Sequence, residues 1–321
     1  MTDTHAAWAD QILAGNRRAI ARGISAVENG DPAASPLLKI LFPRSRRARL
    51  IGVTGSPGAG KSTLVEKLAL EYRQKGNRVG ILAVDPTSPF TGGAILGDRI
   101  RMQALAGDPE VFLRSMATRG QLGGLAPATQ DVAAILEAAG CSVILIETVG
   151  VGQDEIEVAR LADMTLLLLV PGMGDDVQTF KAGVMEIADV FVINKADRPG
   201  ADRVEQELAA MLAITPQQGT WKPPVLKTVA TEAQGVKAVC QAVEQFADYM
   251  RLSGVGALRD REKWRARLME MLRQEAFLRT FRKLDVQGAV DAAAVKVVER
   301  KEDPRSVVEA LLTAARESSH H

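Results

Sequence analysis

The sequence predicts an α/β protein built on a mostly parallel, doubly wound sheet, with a helical extension before it and a helical segment after it. Three observations carry this expectation. From Leu50 onward, short apolar runs ("LIGVTG", "RVGILAVD", "CSVILIET", "MTLLLLVP", "VFVINKAD" and "PPVLKTVA") recur with helical patterns between them. Strands buried on both faces read as such continuous runs, so the pattern is that of a parallel sheet with helices on either side. A glycine-rich stretch, "GSPGAGKS" at residues 55–62, joins the first run to a helical pattern. Outside the central region the apolar residues fall at three- to four-residue spacing instead.

In chain order, residues 5–42 read as short helices: Trp8, Ile12 and Leu13, then Ile20, Ile24 and Val27, share helical faces, with Gly15-Asn16 as a break and cap. "PRSRRAR", residues 43–49, is polar, basic and opened by a proline, which marks a boundary. It lacks the interleaved aromatics of a nucleic-acid surface and reads as a solvated linker. The expected domains are a helical N-terminal extension (1–44), a central domain (45–252) and a helical C-terminal segment (253–321). In the last of these, Trp264, Leu268, Met271, Leu278 and Phe281 stay near one helical face among many charges. That stripe needs cover, either from within the chain or from a second subunit.

Composition excludes several classes of function. Forty basic residues against 39 acidic ones leave no charge excess of the kind that marks a nucleic-acid or membrane-surface binder. Cys141 and Cys240 are far apart, outside any Cys/His cluster, and read as buried reduced thiols rather than a disulfide or a zinc site. Asp3 and Asp10 sit where a signal peptide needs basic residues, and "MTLLLLV" is too short to span a bilayer. A cytoplasmic protein is expected.

Residues 55–62 fit GxxxxGK[ST] at every specified position, after a strand-like run and before a helical one. This is the signature of a P-loop NTPase. Gly55, Ser56, Pro57, Gly58, Ala59 and Gly60 would turn backbone N–H groups toward a phosphate, with Thr63 in the helix N-terminus adding partial positive charge. The Lys61 ammonium would reach the β- and γ-phosphates, and the Ser62 hydroxyl a magnesium ion. At the end of a later strand, Asn194-Lys195-Ala196-Asp197 forms an NKxD motif. The Asp197 carboxylate can accept from both the ring N–H and the exocyclic amine of guanine, a donor pair that adenine lacks. Leaving such a group unpaired costs about 1–3 kcal/mol, and sites of this kind discriminate by roughly 10⁴ or more. Asn194 would brace the loop, and the stem of Lys195 would cover the base. Asp85 and Glu147 end two further strands and Asp98 follows on a glycine-containing loop. On the carboxyl edge of a parallel sheet they can join Ser62 around magnesium. Gly150 is placed to offer its N–H to a γ-phosphate.

With these residues in view, the chain resembles the MeaB/ArgK (MMAA-type) GTPases of the SIMIBI class. The resemblance rests on "GSPGAGKS", "AVDPTSPFTGGAILGDRIRM", "RGQLGG", "ETVGVGQDE", "PGMGDDVQTFKAG" and "NKAD". It implies a GTPase that docks on methylmalonyl-CoA mutase or a related acyl-CoA mutase and gates adenosylcobalamin loading. It also implies a homodimer held largely by the C-terminal helices. The partner mutase and its adenosyltransferase, not this chain, would hold the cobalamin. On the same ground Asp85, Asp98 and Glu147 resemble magnesium and phosphate acids, Arg101 falls in a first switch, and Gln153 and Asp154 in a second. Asp175, Gln178 and Lys181 fall in a third switch that responds to the partner. Where many relatives have a Pro-Ser-rich tract before "LGG", this chain reads Arg114-Ser115-Met116-Ala117-Thr118-Arg119-Gly120. No glutamine directly follows Gly150, so slow intrinsic hydrolysis is expected, completed by a docked partner.

Three other readings stand beside this one. A nickel-insertion GTPase would want a His/Cys cluster, whereas the histidines are His5, His320 and His321. A small-molecule P-loop kinase would yield a phosphorylated product, and a GTP-holding scaffold would release no phosphate.

Overall fold

The structure, a computed structural model, describes residues 2–85, 102–105, 107–117, 125–148, 161–172, 187–214, 220–281 and 286–317. It divides into two compact units, Met1–Arg259 and Asp260–His321. The first is built on a seven-stranded sheet in the order β3-β2-β4-β1-β5-β6-β7. Its strands are β1 (Arg49–Gly55), β2 (Val79–Asp85), β3 (Val111–Ala117), β4 (Val143–Thr148), β5 (Met164–Leu169), β6 (Val190–Asn194) and β7 (Val225–Thr228). Every neighbouring pair is parallel. β4, β5 and β6 are buried along their whole length, as their unbroken apolar runs require.

Before the sheet come α1 (Thr2–Leu13), α2 (Arg17–Glu28) and α3 (Ala34–Leu41); after β1 comes α4 (Lys61–Gln74), and after β3 comes α5 (Leu125–Ala138). Then follow α6 (Ala201–Ile214), α7 (Val236–Leu252), α8 (Val255–Phe281), α9 (Val286–Val298) and α10 (Pro304–Glu317). The predicted break between the first two helices is present: Gly15 takes φ +77°, and the Asn16 side chain accepts from the N–H groups of Arg18 and Ala19, each at 3.0 Å.

Helices cover both faces of the sheet. On one, α4 and α7 pack Leu64, Leu68, Val239 and Phe246 against Ile51, Val53, Leu145 and Leu166. On the other, α5 brings Val132, Ile135 and Leu136 onto Leu82, Ile144 and Ile146, and the helices before the sheet add Ile12, Ile20, Ile24, Leu37 and Leu41 to that same core. A smaller cluster seats Leu208 of α6 on Leu167, Leu169 and Phe191.

Strand β3 was not among the runs read from the sequence. It lies at the sheet edge, and Arg114 and Ser115 interrupt its apolar residues after Val111, Phe112 and Leu113, so no long apolar run betrays it. Helix α2 brackets it. Arg17 donates to the carbonyl oxygens of Asp108, Pro109 and Val111. Arg114 on the strand donates from Nε and Nη2 to the two carboxylate oxygens of Glu28, and its Nη2 reaches Ser25 Oγ at 3.3 Å. Both cysteines are buried and free.

In the second unit α9 and α10 pack on each other. Along α8 the side chains of Trp264, Leu268, Met271 and Leu272 are between 43% and 62% exposed. Among the described residues no helix is long and apolar enough to cross a membrane.

Candidate functional site

β1 lies at the centre of the sheet, with β4 on one side and β5 on the other, while the chain leaves it for β2, beyond β4. The carboxyl end of β1 is therefore a point where strand order reverses, and such a crevice is where open α/β sheets take ligands. The glycine-rich loop occupies it. Gly55 has φ +141°, and a Cβ there would meet the Leu168 carbonyl oxygen at 2.3 Å, so the strand can enter the loop only as glycine. Gly60, at φ +90°, stands directly before α4, and its Cβ would fall 2.4 Å from Asn194 Nδ2.

Lys61 opens α4 and is 5% exposed. Its Nζ donates to the carbonyl oxygens of Gly55 at 2.7 Å and Ser56 at 2.9 Å, which holds the ammonium beneath the loop. The next residue, Ser62, donates its hydroxyl to Glu147 Oε1 at 2.6 Å. Glu147, 5% exposed, stands in β4, directly beside β1 with Val53 as its register partner. The structure thus brings a hydroxyl and a carboxylate together at the helix N-terminus. These hard oxygen donors suit magnesium, which needs few protein ligands and keeps its waters. Asp85 ends β2, whose Val84 is the register partner of Thr148, so its backbone reaches the same sheet edge.

The NKxD turn is seated against the loop. Asn194, at the end of β6 and 2% exposed, donates Nδ2 to the Ala59 carbonyl at 2.8 Å. Lys195 takes the left-handed backbone, φ +56°, and its Nζ donates to the Gly58 carbonyl at 2.7 Å. The turn after it closes through Arg198 N–H to the Lys195 carbonyl, leaving Asp197 exposed.

Sequence reasoning missed the third wall of this corner. Thr228, the last residue of β7 and the register partner of Asn194, donates its hydroxyl to Asn194 Oδ1 at 3.0 Å, and the Ala230 N–H donates to the same oxygen at 3.1 Å. The signal was partial: the run "PPVLKTVA" puts Thr228 near the carboxyl end of a strand without showing which side chain it meets. Asp98, Arg101, Gly150, Gln153, Asp154, Asp175, Gln178 and Lys181 lie outside the described residues.

A phosphate loop at the reversal point of a parallel sheet, with an Asn-Lys-Ala-Asp turn hydrogen-bonded to it, defines a P-loop GTPase. The profile of the family described as methylmalonyl Co-A mutase-associated GTPase MeaB matches residues 20–285, and the chain belongs to that family. A Pyrococcus horikoshii protein named as a GTPase is 51% identical over 264 residues, covering 81% of this chain and 82% of its own length. The mitochondrial methylmalonic aciduria type A homolog of Caenorhabditis elegans is 35% identical over 262 residues, 76% of this chain and 66% of its own. Among solved structures, that of a LAO/AO transport system kinase superposes with a TM-score of 0.72 at 27% identity, covering 98% of both chains.

Proposed function

We propose that this GTPase works as a magnesium-dependent chaperone of an adenosylcobalamin-dependent acyl-CoA mutase, methylmalonyl-CoA mutase or a relative. In this reading it gates cofactor loading and protects or reactivates the client. The observation that carries the nucleotide half is the Ser62–Glu147 contact at 2.6 Å beside a buried Lys61. Ser62 and Glu147, joined by Asp85 and Asp98, would hold magnesium, which when bound neutralises charge on the β- and γ-phosphate oxygens. Lys61 and the N–H groups of residues 55–63 would position the phosphates. Asp197 would read guanine while Asn194 and Lys195 fix the turn against the loop. Gly150 and Gln153 would act at the γ-phosphate. Arg101, Asp154, Asp175, Gln178 and Lys181 would respond to the docked mutase, and preorganised donors aimed at developing charge are the usual means by which such a partner raises the rate.

The mutase half rests on the family described as mutase-associated and on the aciduria-type relative. An adenosyltransferase would complete the assembly in the cytoplasm, cobalamin staying on the partners, and a homodimer formed through the second unit would bury the apolar face of α8. The deciding experiment is steady-state phosphate release from GTP, with ATP as control, in magnesium and in EDTA, alone and with a methylmalonyl-CoA mutase from the same genome. Slow GTP-only turnover that the mutase accelerates supports the reading. Turnover indifferent to every acyl-CoA mutase of that genome rejects the chaperone role and leaves the GTPase.

A further inference from the structure

Successive residues of a strand point to opposite faces. Val53 and Glu147 face α4, where Val53 joins the core and Glu147 takes the Ser62 hydroxyl. The next residue on each strand, Thr54 on β1 and Thr148 on β4, therefore turns to the far side of the sheet. There both are fully buried, and the Thr148 hydroxyl donates to Thr54 Oγ1 at 3.1 Å. Among the described residues, Leu82, Val84, Ile144 and Ile146 lie on this same face as part of the core. Valine has the shape of threonine and suits a buried strand at least as well. Replacing both members of a buried hydrogen-bonded pair by apolar groups of the same shape is close to neutral for folding, so folding alone gives this pair little reason to exist.

Its position supplies a reason. Thr54 immediately precedes Gly55, whose carbonyl holds Lys61, and Thr148 immediately follows Glu147. We infer that the Thr54–Thr148 hydrogen bond is a positioning clamp for GTP hydrolysis, fixing the separation between the start of the phosphate loop and the Glu147 carboxylate from behind the sheet. Both threonines lie on the face opposite Val53 and Glu147, so each acts through its neighbour. The inference rests on the reading of Ser62 and Glu147 as the magnesium pair.

The test compares Thr54→Val, Thr148→Val, the double valine variant and Thr148→Ser. Readouts are GTP hydrolysis across magnesium concentrations, GDP binding in EDTA and thermal unfolding. Loss of a hydrogen bond of ordinary worth from the alignment of the site predicts a roughly three- to tenfold loss of kcat in each valine variant. The magnesium needed for half-maximal rate should rise, while GDP affinity in EDTA stays at the parental value. The double variant should unfold at close to the parental temperature yet remain slow, and Thr148→Ser, which keeps the hydroxyl, should restore the rate. Parental kcat and magnesium requirement in the double variant overturn the clamp. So does a Thr148→Ser variant as slow as Thr148→Val, which would assign the effect to the lost methyl. Glu147→Gln separates the two readings: if it leaves the magnesium dependence unchanged, the magnesium pair is wrong, and the clamp is then judged on kcat and the serine rescue alone.

Discussion

At the scale of single residues, Glu137 shows how a structural carboxylate can be set against its own charge. It lies in α5 and accepts the Ala48 N–H at 2.9 Å. Burial raises its pKa above the ordinary carboxylate value; the Ala48 bond pulls the other way, nearby Asp163 adds to the rise and Arg47 opposes it. A carboxyl whose folded pKa is raised contributes stability below its unfolded value, about 4.3, and loses that contribution as pH climbs through the folded value. Glu137→Gln keeps an acceptor for Ala48 without the buried charge. The melting temperature of the variant should therefore exceed the parent's at pH 7–8, with the gain shrinking to nothing as pH falls below about 4. A difference that stays constant across that range would refute the electrostatic account. Gly60 makes a sharper prediction. Alanine there combines a left-handed φ with a Cβ 2.4 Å from Asn194 Nδ2, so the variant should lose GTP binding by more than tenfold in a filter or calorimetric assay. Burial also pushes the thiols of Cys240 to about 11 and Cys141 to about 12. Neither is ionised near neutral pH, and a thiol reagent should find them only after unfolding.

At the scale of elements, the N-terminal helices are part of the sheet's own core. Leu37, fully buried in α3, shares a cluster with Ile135 of α5 and Ile144 of β4. Leu37→Ala should cost about 2–5 kcal/mol in urea unfolding, the range for emptying a packed leucine site. A loss below about 1 kcal/mol would mean that the helix docks loosely. The central strands were legible because burial on both faces leaves an uninterrupted apolar run, and the loop and NKxD turn because their residues serve one chemistry. β3 was illegible for a physical reason. An edge strand has only one strand neighbour, and here its polar Arg114 is matched across to Glu28, a pairing no local window contains. The Thr228 contact to Asn194 was hidden for a similar reason: it joins residues 34 apart through strand register. Spacing located each strand end, while only the sheet order brings them to one corner.

At the scale of the whole molecule, the exposed stripe on α8 sets an expectation about assembly. Trp264, Leu268, Met271 and Leu272 present a large apolar surface among charges, and surfaces of this kind on a helix call for a covering partner. If two copies supply that cover, Leu268→Glu combined with Leu272→Glu should convert a dimer to a monomer in light scattering while GTP affinity is retained. Thermal stability of the parent should also rise with protein concentration, as it does for any folded state held by association. A parent that is monomeric at all concentrations would exclude this. The Trp264 side chain, 43% exposed in the single chain, offers a fluorescence signal for the same transition.

The shared core of the N-terminal helices and the sheet also has a consequence in time. Translation adds about 5–20 residues each second, and about 100 residues separate the end of α3 from the end of β4. The leading helices therefore leave the ribosome some 5–20 s before the last strand of their shared core exists. During that interval Ile12, Ile20, Leu37 and Leu41 have no sheet to cover them, and the nascent chain carries an amphipathic stretch that chaperones can recognise. Chains stalled before residue 140 should be cut by protease within α1–α3, and chains stalled after the ribosome has released β4 should resist.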